Sequence, residues 1–237
     1  MQDDKQIKSN TKVMAAVPEE ALEPMGSEAF KDDGSARGRL IEVARGLFAE
    51  TGLDGTSTRD IAKAANVNVS LISYYFGGKE GLYKAVITEF ANTASSRMNL
   101  LLDTIDLENL NKESFRAALR TLLSGMIPHK YMNREINILI QREMMAGLPH
   151  AKEVFENTFV KLLERVVGIY KTGQAKGIVK KELNPYLIFL SLVHSTDMFM
   201  QMGNCTTGID QKVPQLPRDL DAYIEQIYIL YVEGVMV

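Results

Sequence analysis

Cysteine is almost absent: the chain of 237 residues contains one, Cys205. A single thiol closes no internal disulfide, so a reducing cytoplasm is the expected home. Neither sign of charge dominates, with 27 Lys and Arg against 30 Asp and Glu and a formal net charge of −3. That balance argues against wholesale coating of nucleic acid or of an acidic membrane, and leaves room for a local basic face. Long apolar runs are missing too. The most apolar stretch, YLIFLSLVHSTDMFMQM, is broken by His194, Ser195, Thr196 and Asp197, and reads as a buried or interfacial helix with no membrane span. The stretch from Met1 to Phe30 has no apolar segment of the signal-peptide kind. There is no alternating strand pattern of useful length and no internal repeat. The signatures of catalysis are likewise lacking: no GxSxG, no HExxH, and a Gly77-Gly78-Lys79-Glu80 run without the upstream Gly and the Ser/Thr of a phosphate loop. His129, His150 and His194 have no metal-like spacing. Cys205, His194 and Asp197 make a thiol triad by co-occurrence alone. The chain is therefore expected to be no enzyme and to carry no cofactor and no metal.

What is present is helical periodicity. Apolar residues make up 46% of the chain and charged residues 24%, ordinary globular proportions with material for a core. Residues 1–34 carry four lysines against eight acids and are interrupted by Pro18 and Pro24, which suggests a flexible acidic tail. Order is expected from Ser35. Leu40, Val43, Ala44, Leu47 and Phe48 form one apolar stripe of a first helix, and Gly52 is its C-terminal stop. Ser57 is placed to cap a second helix, with Asp60 completing a capping-box pattern. After Asn66-Val67-Asn68, in which Asn68 is a good N-cap, a third helix runs to about Phe76. Gly77-Gly78 ends it, and a fourth begins at Lys79. Further helices are predicted over 79–97, 112–130, 132–146, 150–176, 184–203 and 217–235. The expected fold class is all-α.

The third helix is barely two turns long yet carries Tyr74 and Tyr75 side by side. At 100° per residue, Val69, Ile72 and Phe76 share the side that packs on the first two helices. Ser70, Leu71 and Tyr74 take the opposite side, with Ser73 and Tyr75 on the flanks. Serines and tyrosines then face outward, small residues allow close approach to a surface, and phenols supply flat contact area with a hydroxyl. Lys79 and the pair Thr58 and Arg59 stand at helix N-termini, where free N–H groups favour an anion. Residues 35–85 hold seven Lys/Arg against five Asp/Glu, a mildly basic module. Helix, three-residue turn and exposed second helix form a helix-turn-helix.

The run TSTRDIAKAANVNVSLISYYFGGKEGLYKAVI resembles the helix-turn-helix of the TetR/AcrR family of transcriptional regulators, over roughly residues 37–87. RDIA, Val67 in the turn, Ile72, Tyr-Tyr-Phe and Lys-Glu-x-Leu-Tyr fall in order without a gap. Four positions depart from the usual pattern: Asn66 for Gly, Asn68 for a Ser/Thr cap, Ser73 for a frequent Tyr, and Gly78 for a Ser/Thr cap. The resemblance implies that Val69, Ser70 and Leu71 meet base edges in the major groove and that Ser73, Tyr74 and Tyr75 contact bases or phosphates. It implies that Thr58 and Lys79 grip phosphates, with Arg59 beside Thr58, and that Arg37 and Arg39 reach the backbone from the first helix.

The remainder, residues 97–237, is expected to be the family's helical ligand-binding and dimerisation domain, following a DNA-binding domain at 35–96. Met126, Ile136, Ile140, Met144, Phe155, Phe159, Met198, Phe199 and Met202 are candidates for an apolar interior. Met suits cavities that accept varied ligands, and equally suits plain core filling. His194 and Asp197 interrupt an apolar helix at i, i+3, and each suits a structural bond, an interface or a ligand. A ligand site is expected among Met126, Ile140, Met144, Phe155, Phe159, His194 and Met198. Arg142 would pair with an acidic ligand, or with Glu143 or another internal carboxylate. The stripes Leu187, Leu190, Ser191, His194, Met198 and Tyr223, Ile227, Leu230, Tyr231, Gly234 suit a four-helix bundle with a symmetry mate. The functional expectation is a cytoplasmic, homodimeric, ligand-responsive repressor. Its partners would be a double-stranded DNA operator of palindromic form and a small-molecule inducer, with no membrane. The alternative is a helical carrier or adaptor for an apolar molecule.

Overall fold

The computed structural model describes residues 35–202 and 219–237. The acidic tail at 1–34 and Cys205 lie outside the described residues, as does the side chain of Met202. The helices are α1 (Ala36–Gly55), α2 (Thr58–Ala64), α3 (Ser70–Phe76), α4 (Lys79–Asp103), α5 (Lys112–Met132), α6 (Arg134–Met145) and α7 (Lys152–Phe155). A π-helical turn (Glu156–Val160) leads into α8 (Lys161–Ala175), followed by α9 (Pro185–Met202), α10 (Leu220–Tyr231) and a 3-10 turn (Glu233–Val235). Among the described residues the extended pairing is a single antiparallel bridge, Val179 with Met236. None of the described helices is long and apolar enough to cross a membrane.

Two compact units emerge. One contains residues 35–96 and 132–160; the other contains 97–131, 161–202 and 219–237. Helix α4 thus begins in the first unit and ends in the second. The first unit closes over one apolar core in which Leu40, Ile41, Phe48, Ile61, Ile72 and Leu82 are essentially solvent-free. Ile136 and Leu139 of α6 and Ala151 before α7 belong to that same core. Burying these side chains, at about 1.5–3 kcal/mol each for the larger ones, is what joins α6 to the N-terminal helices.

In the second unit Phe115 packs edge-on to Tyr170 with ring centroids 5.8 Å apart, and the Tyr170 hydroxyl donates to the Tyr231 carbonyl at 3.1 Å. Phe199 stacks on Tyr223 at 3.8 Å. Arg116 grips Glu233 with two hydrogen bonds of 2.8 and 3.0 Å. Leu187, Leu190, His194 and Met198 stand exposed along α9. On α10 the anticipated stripe divides: Tyr223 and Ile227 are buried, whereas Leu230 and its neighbour Ile229 are exposed. Asp197 is a structural partner, paired with Lys130.

His129, near the end of α5, is held neutral: burial, then the nearby charges of Arg97 and Lys130, push its pKa down from 6.5 to about 4. The unfolded chain takes up this proton near pH 6.5 and the folded chain only near 4, so the unfolded state binds more protons in between. The contribution is complete above pH 6.5 and is lost progressively as pH falls through that window, amounting to roughly 3 kcal/mol across it. Denaturant unfolding of wild type and His129→Gln at pH 7 and pH 4.5 should show a smaller acid-induced loss in the variant.

Candidate nucleic-acid interface

Helix α1 starts at a Ser35 cap, whose hydroxyl accepts from the Gly38 amide at 3.0 Å, and leaves the helical path at Gly52, where φ is 78° and ψ 177°. The turn beyond it is stapled from within. The buried Thr56 hydroxyl donates to the Gly52 carbonyl at 2.6 Å, and Lys79 Nζ donates to the Thr56 and Asp54 carbonyls at 3.0 and 3.4 Å. Ser57 caps α2 by accepting from the Arg59 amide at 3.1 Å. The reciprocal capping-box bond from Asp60 is not formed, because Asp is one methylene shorter than the Glu or Gln that box uses.

The turn between α2 and α3 explains the first departure from the family pattern. Asn66 sits at φ 52°, in the left-handed region, which Asn tolerates better than other non-glycine residues. The Arg39 guanidinium donates to the Ala65 carbonyl at 3.3 Å and ties this turn to α1. Asn68 then closes the start of α3: its Oδ1 accepts from the Ser70 amide at 2.9 Å and from the Ser70 hydroxyl at 2.7 Å. Gly77, left-handed at φ 73°, ends the helix with its amide on the Ser73 carbonyl. Gly81 is required by close approach, since a Cβ there would stand 1.7 Å from the Phe76 carbonyl oxygen.

On α3 the single buried residue is Ile72. Ser70 and Ser73 are exposed, as are Tyr74 at 78% and Tyr75 at 41%, their rings edge-to-face at 5.0 Å. Two positions differ from the wheel. Val69, expected inward, precedes the first helical turn and is 43% exposed. Leu71, expected outward, is half-buried against the core, because in a two-turn helix the flanking helices reach round the narrow apolar edge. Thr58 and Arg59 open α2 at the surface. Arg37 lies 5.6 Å over the Phe76 ring and pairs with Glu89 at 3.1 Å. Three cations expected to reach DNA, Arg37, Arg39 and Lys79, therefore also hold the module's own helices together.

The same unit holds a polar knot that periodicity does not reveal. Glu143, 3% exposed, accepts from the His150 and Ala151 amides at 2.9 and 3.1 Å. The Tyr83 hydroxyl also bonds to it; burial, then the Glu143 charge, pushes that phenol's pKa up to about 12. Tyr83 in turn packs edge-on against Phe48 and His150 at 5.1 and 5.6 Å. Among the described residues Arg142 forms an ion pair with neither Glu143 nor another carboxylate. It donates to the Phe48 carbonyl at 2.9 Å, since adjacent residues on a helix face different ways.

The apolar candidates for a ligand site divide between units. Met126 is half-buried on α5, while His194 and Met198 are exposed on α9. Ile140 packs against the core of the first unit, Met144 is 52% exposed, and Phe155 stacks on Phe159 at 4.6 Å across the π-helical turn. A groove of about 530 Å³ in the first unit is lined by other residues, among them Lys84, Thr88 and Asn92 of α4 and Lys152, Glu153 and Asn157. No cluster of potential metal ligands occurs among the described residues.

Residues 40–86 match the domain described as "Bacterial regulatory proteins, tetR family". The chain is 31% identical over 127 residues to the probable HTH-type transcriptional regulator YttP of Bacillus subtilis, an alignment covering 54% of this chain and 59% of that protein. It is 28% identical over 167 residues to the HTH-type transcriptional repressor NicS of Pseudomonas putida, covering 67% and 74%. The solved structure of the ketosteroid transcriptional regulator KstR2 of Mycobacterium tuberculosis superposes with a TM-score of 0.58 at 20% identity, covering 86% of this chain and 96% of that one; it shares the fold. These relatives are named as transcriptional regulators and not as enzymes.

Removing the carboxylate of Glu143 tests the knot. Glu143→Ala should cost about 2–4 kcal/mol in unfolding free energy, because a buried phenol and two amides lose their acceptor. In Glu143→Gln the tyrosinate absorbance attributed to Tyr83 should appear at lower pH than in wild type.

Proposed function

We propose that the chain, whose residues 40–86 match the tetR family of bacterial regulatory proteins, is a member of that family and a homodimeric repressor released from a palindromic operator by a small apolar or amphipathic molecule. The observation that carries the reading is α3, with Ile72 buried and Ser70, Ser73 and Tyr74 turned to solvent. Such a face suits a major groove: small side chains admit the backbone, and phenols and hydroxyls reach bases and phosphates. In this reading Val69, Ser70 and Leu71 meet base edges, and Ser73, Tyr74 and Tyr75 meet bases or phosphates. Thr58, Arg59 and the third donor of Lys79 hold the backbone, with Arg37 and Arg39 beside them.

Dimerisation is supported by the exposed Leu187 and Leu190 of α9 and Ile229 and Leu230 of α10, an apolar surface that a second copy would cover. Two copies place two reading helices, hence a site of twofold symmetry. Repression is taken by analogy with NicS, which is named a repressor. The inducer would act on α4, whose first turns belong with the reading helix and whose last turns belong to the other unit. Of the candidate side chains for that molecule, Ile140, Met144, Phe155 and Phe159 belong to the first unit and Met126, His194 and Met198 to the other. A preference of about 1–3 kcal/mol for the non-binding state lowers operator affinity 5- to 150-fold. A cytoplasmic setting follows from such a role.

Gel mobility of a palindromic duplex from the gene's own upstream region separates a regulator from a carrier of apolar molecules. A specific shift that is weakened in Tyr74→Ala, with thermal stability unchanged, is expected; absence of any shift favours the carrier. Because few cations face the duplex, the salt dependence should be shallow, at about 0.9 in log–log slope per phosphate contact.

A further inference from the structure

The start of α3 carries a detail that resolves which chemical group the reading face selects. Asn68 Oδ1 lies 2.9 Å from the Ser70 amide and 2.7 Å from the Ser70 hydroxyl. A backbone N–H only donates, so the Asn68 atom facing it is the carbonyl oxygen and not the amide nitrogen, whichever way the side chain is drawn. That oxygen has no proton to give. The hydroxyl at the same oxygen is therefore the donor, and its one proton is committed inside the protein. Ser70 is exposed, and what it turns outward is a pair of lone pairs.

We propose that Ser70 is a specificity-determining residue that acts as an acceptor only, taking a hydrogen bond from the exocyclic amino group of adenine or cytosine in the major groove. This rests on the reading of α3 as the operator-contacting helix. In the major groove the adenine N6 and cytosine N4 groups donate, whereas guanine N7 and O6 and thymine O4 accept. A freely rotating serine hydroxyl serves either kind of partner. One whose proton is held by Asn68 attracts the amino group and repels the carbonyl. The discrimination thus lies between A or C and G or T on the strand that Ser70 faces, with A and C interchangeable. Asn68 is the positioning residue for this choice, and its amide nitrogen stays available to a phosphate oxygen. The usual Ser/Thr cap at that place offers an acceptor that is itself a rotating hydroxyl, so a locked Ser70 belongs to the Asn at position 68.

The test begins with selection of duplexes from a random pool by the full chain and by Ser70→Ala. The base pair whose preference relaxes in the variant should tolerate exchange of A for C on one strand, not of A for G. At that pair, replacing the base by its analogue without the exocyclic amino group should weaken wild-type binding about 2- to 10-fold, the worth of one hydrogen bond, and leave Ser70→Ala unaffected. Asn68→Ala, which frees the hydroxyl to donate as well as accept, should still bind but gain tolerance of G or T at that pair; Asn68→Asp, which keeps the acceptor oxygen, should retain the discrimination. If 7-deazapurine or another acceptor-deleted base at that pair weakens wild type while the amino-deleted base does not, the hydroxyl is donating and the proposal is overturned with operator reading intact. If no duplex is enriched at all, the operator reading falls and this inference with it.

Discussion

A helix of seven residues cannot hold itself in water, and the function read here depends on one. Helix α3 persists because Ile72 is sunk into the core that also holds Ile61 and Leu40, because Asn68 closes its first turn, and because Gly77 closes its last. Leu71 and Phe76 add partial packing against the same core, and Ser70, Ser73, Tyr74 and Tyr75 are released from it. The exposure of Tyr74 and Ser70 is the consequence: a segment anchored along one narrow edge has the rest of its circumference left to meet something else.

The anchoring is not confined to the three N-terminal helices. Ile136 and Leu139 extend the core onto α6, the Arg142 guanidinium takes up the Phe48 carbonyl near the end of α1, and Glu143 binds Tyr83 of α4 to the backbone entering α7. A buried carboxylate is costly unless fully bonded, and this one is met by a phenol and two amides. Any movement of α6 or α7 therefore bears on α1 and α4 through directional bonds as well as through apolar contact. That gives the reading unit a handle built from residues 94 and 60 positions away in sequence from the Phe48 and Tyr83 they hold.

The helix-turn-helix was legible because its signals are local. Caps, glycines and the spacing of Ile61, Ala65 and Ile72 act within a few residues, and the helices over 112–132 and 185–202 likewise follow from periodicity. The outward serines and tyrosines were legible for the same reason. Val69 and Leu71 were not, since a wheel assumes a helix in contact along one line, whereas α3 is clasped on its flanks. Arg142 and Glu143 were visible as charges in an apolar helix, but their partners, the Phe48 carbonyl and the amides of residues 150 and 151, are backbone groups with no mark in the sequence. The grouping of residues 132–160 with the N-terminal helices was hidden too, because an apolar stripe states that a helix is buried and not against what.

The most direct test of the outward reading face is chemical. Tyr74 is the most exposed tyrosine among the described residues, at 78%, and Tyr131 on α5 is exposed at 47%. Nitration of the phenols, mapped by mass spectrometry with and without a selected duplex, should find both reactive in the free protein, with Tyr74 but not Tyr131 strongly protected in the complex. Equal reactivity of Tyr74 in the free and duplex-bound protein would contradict the account at its centre.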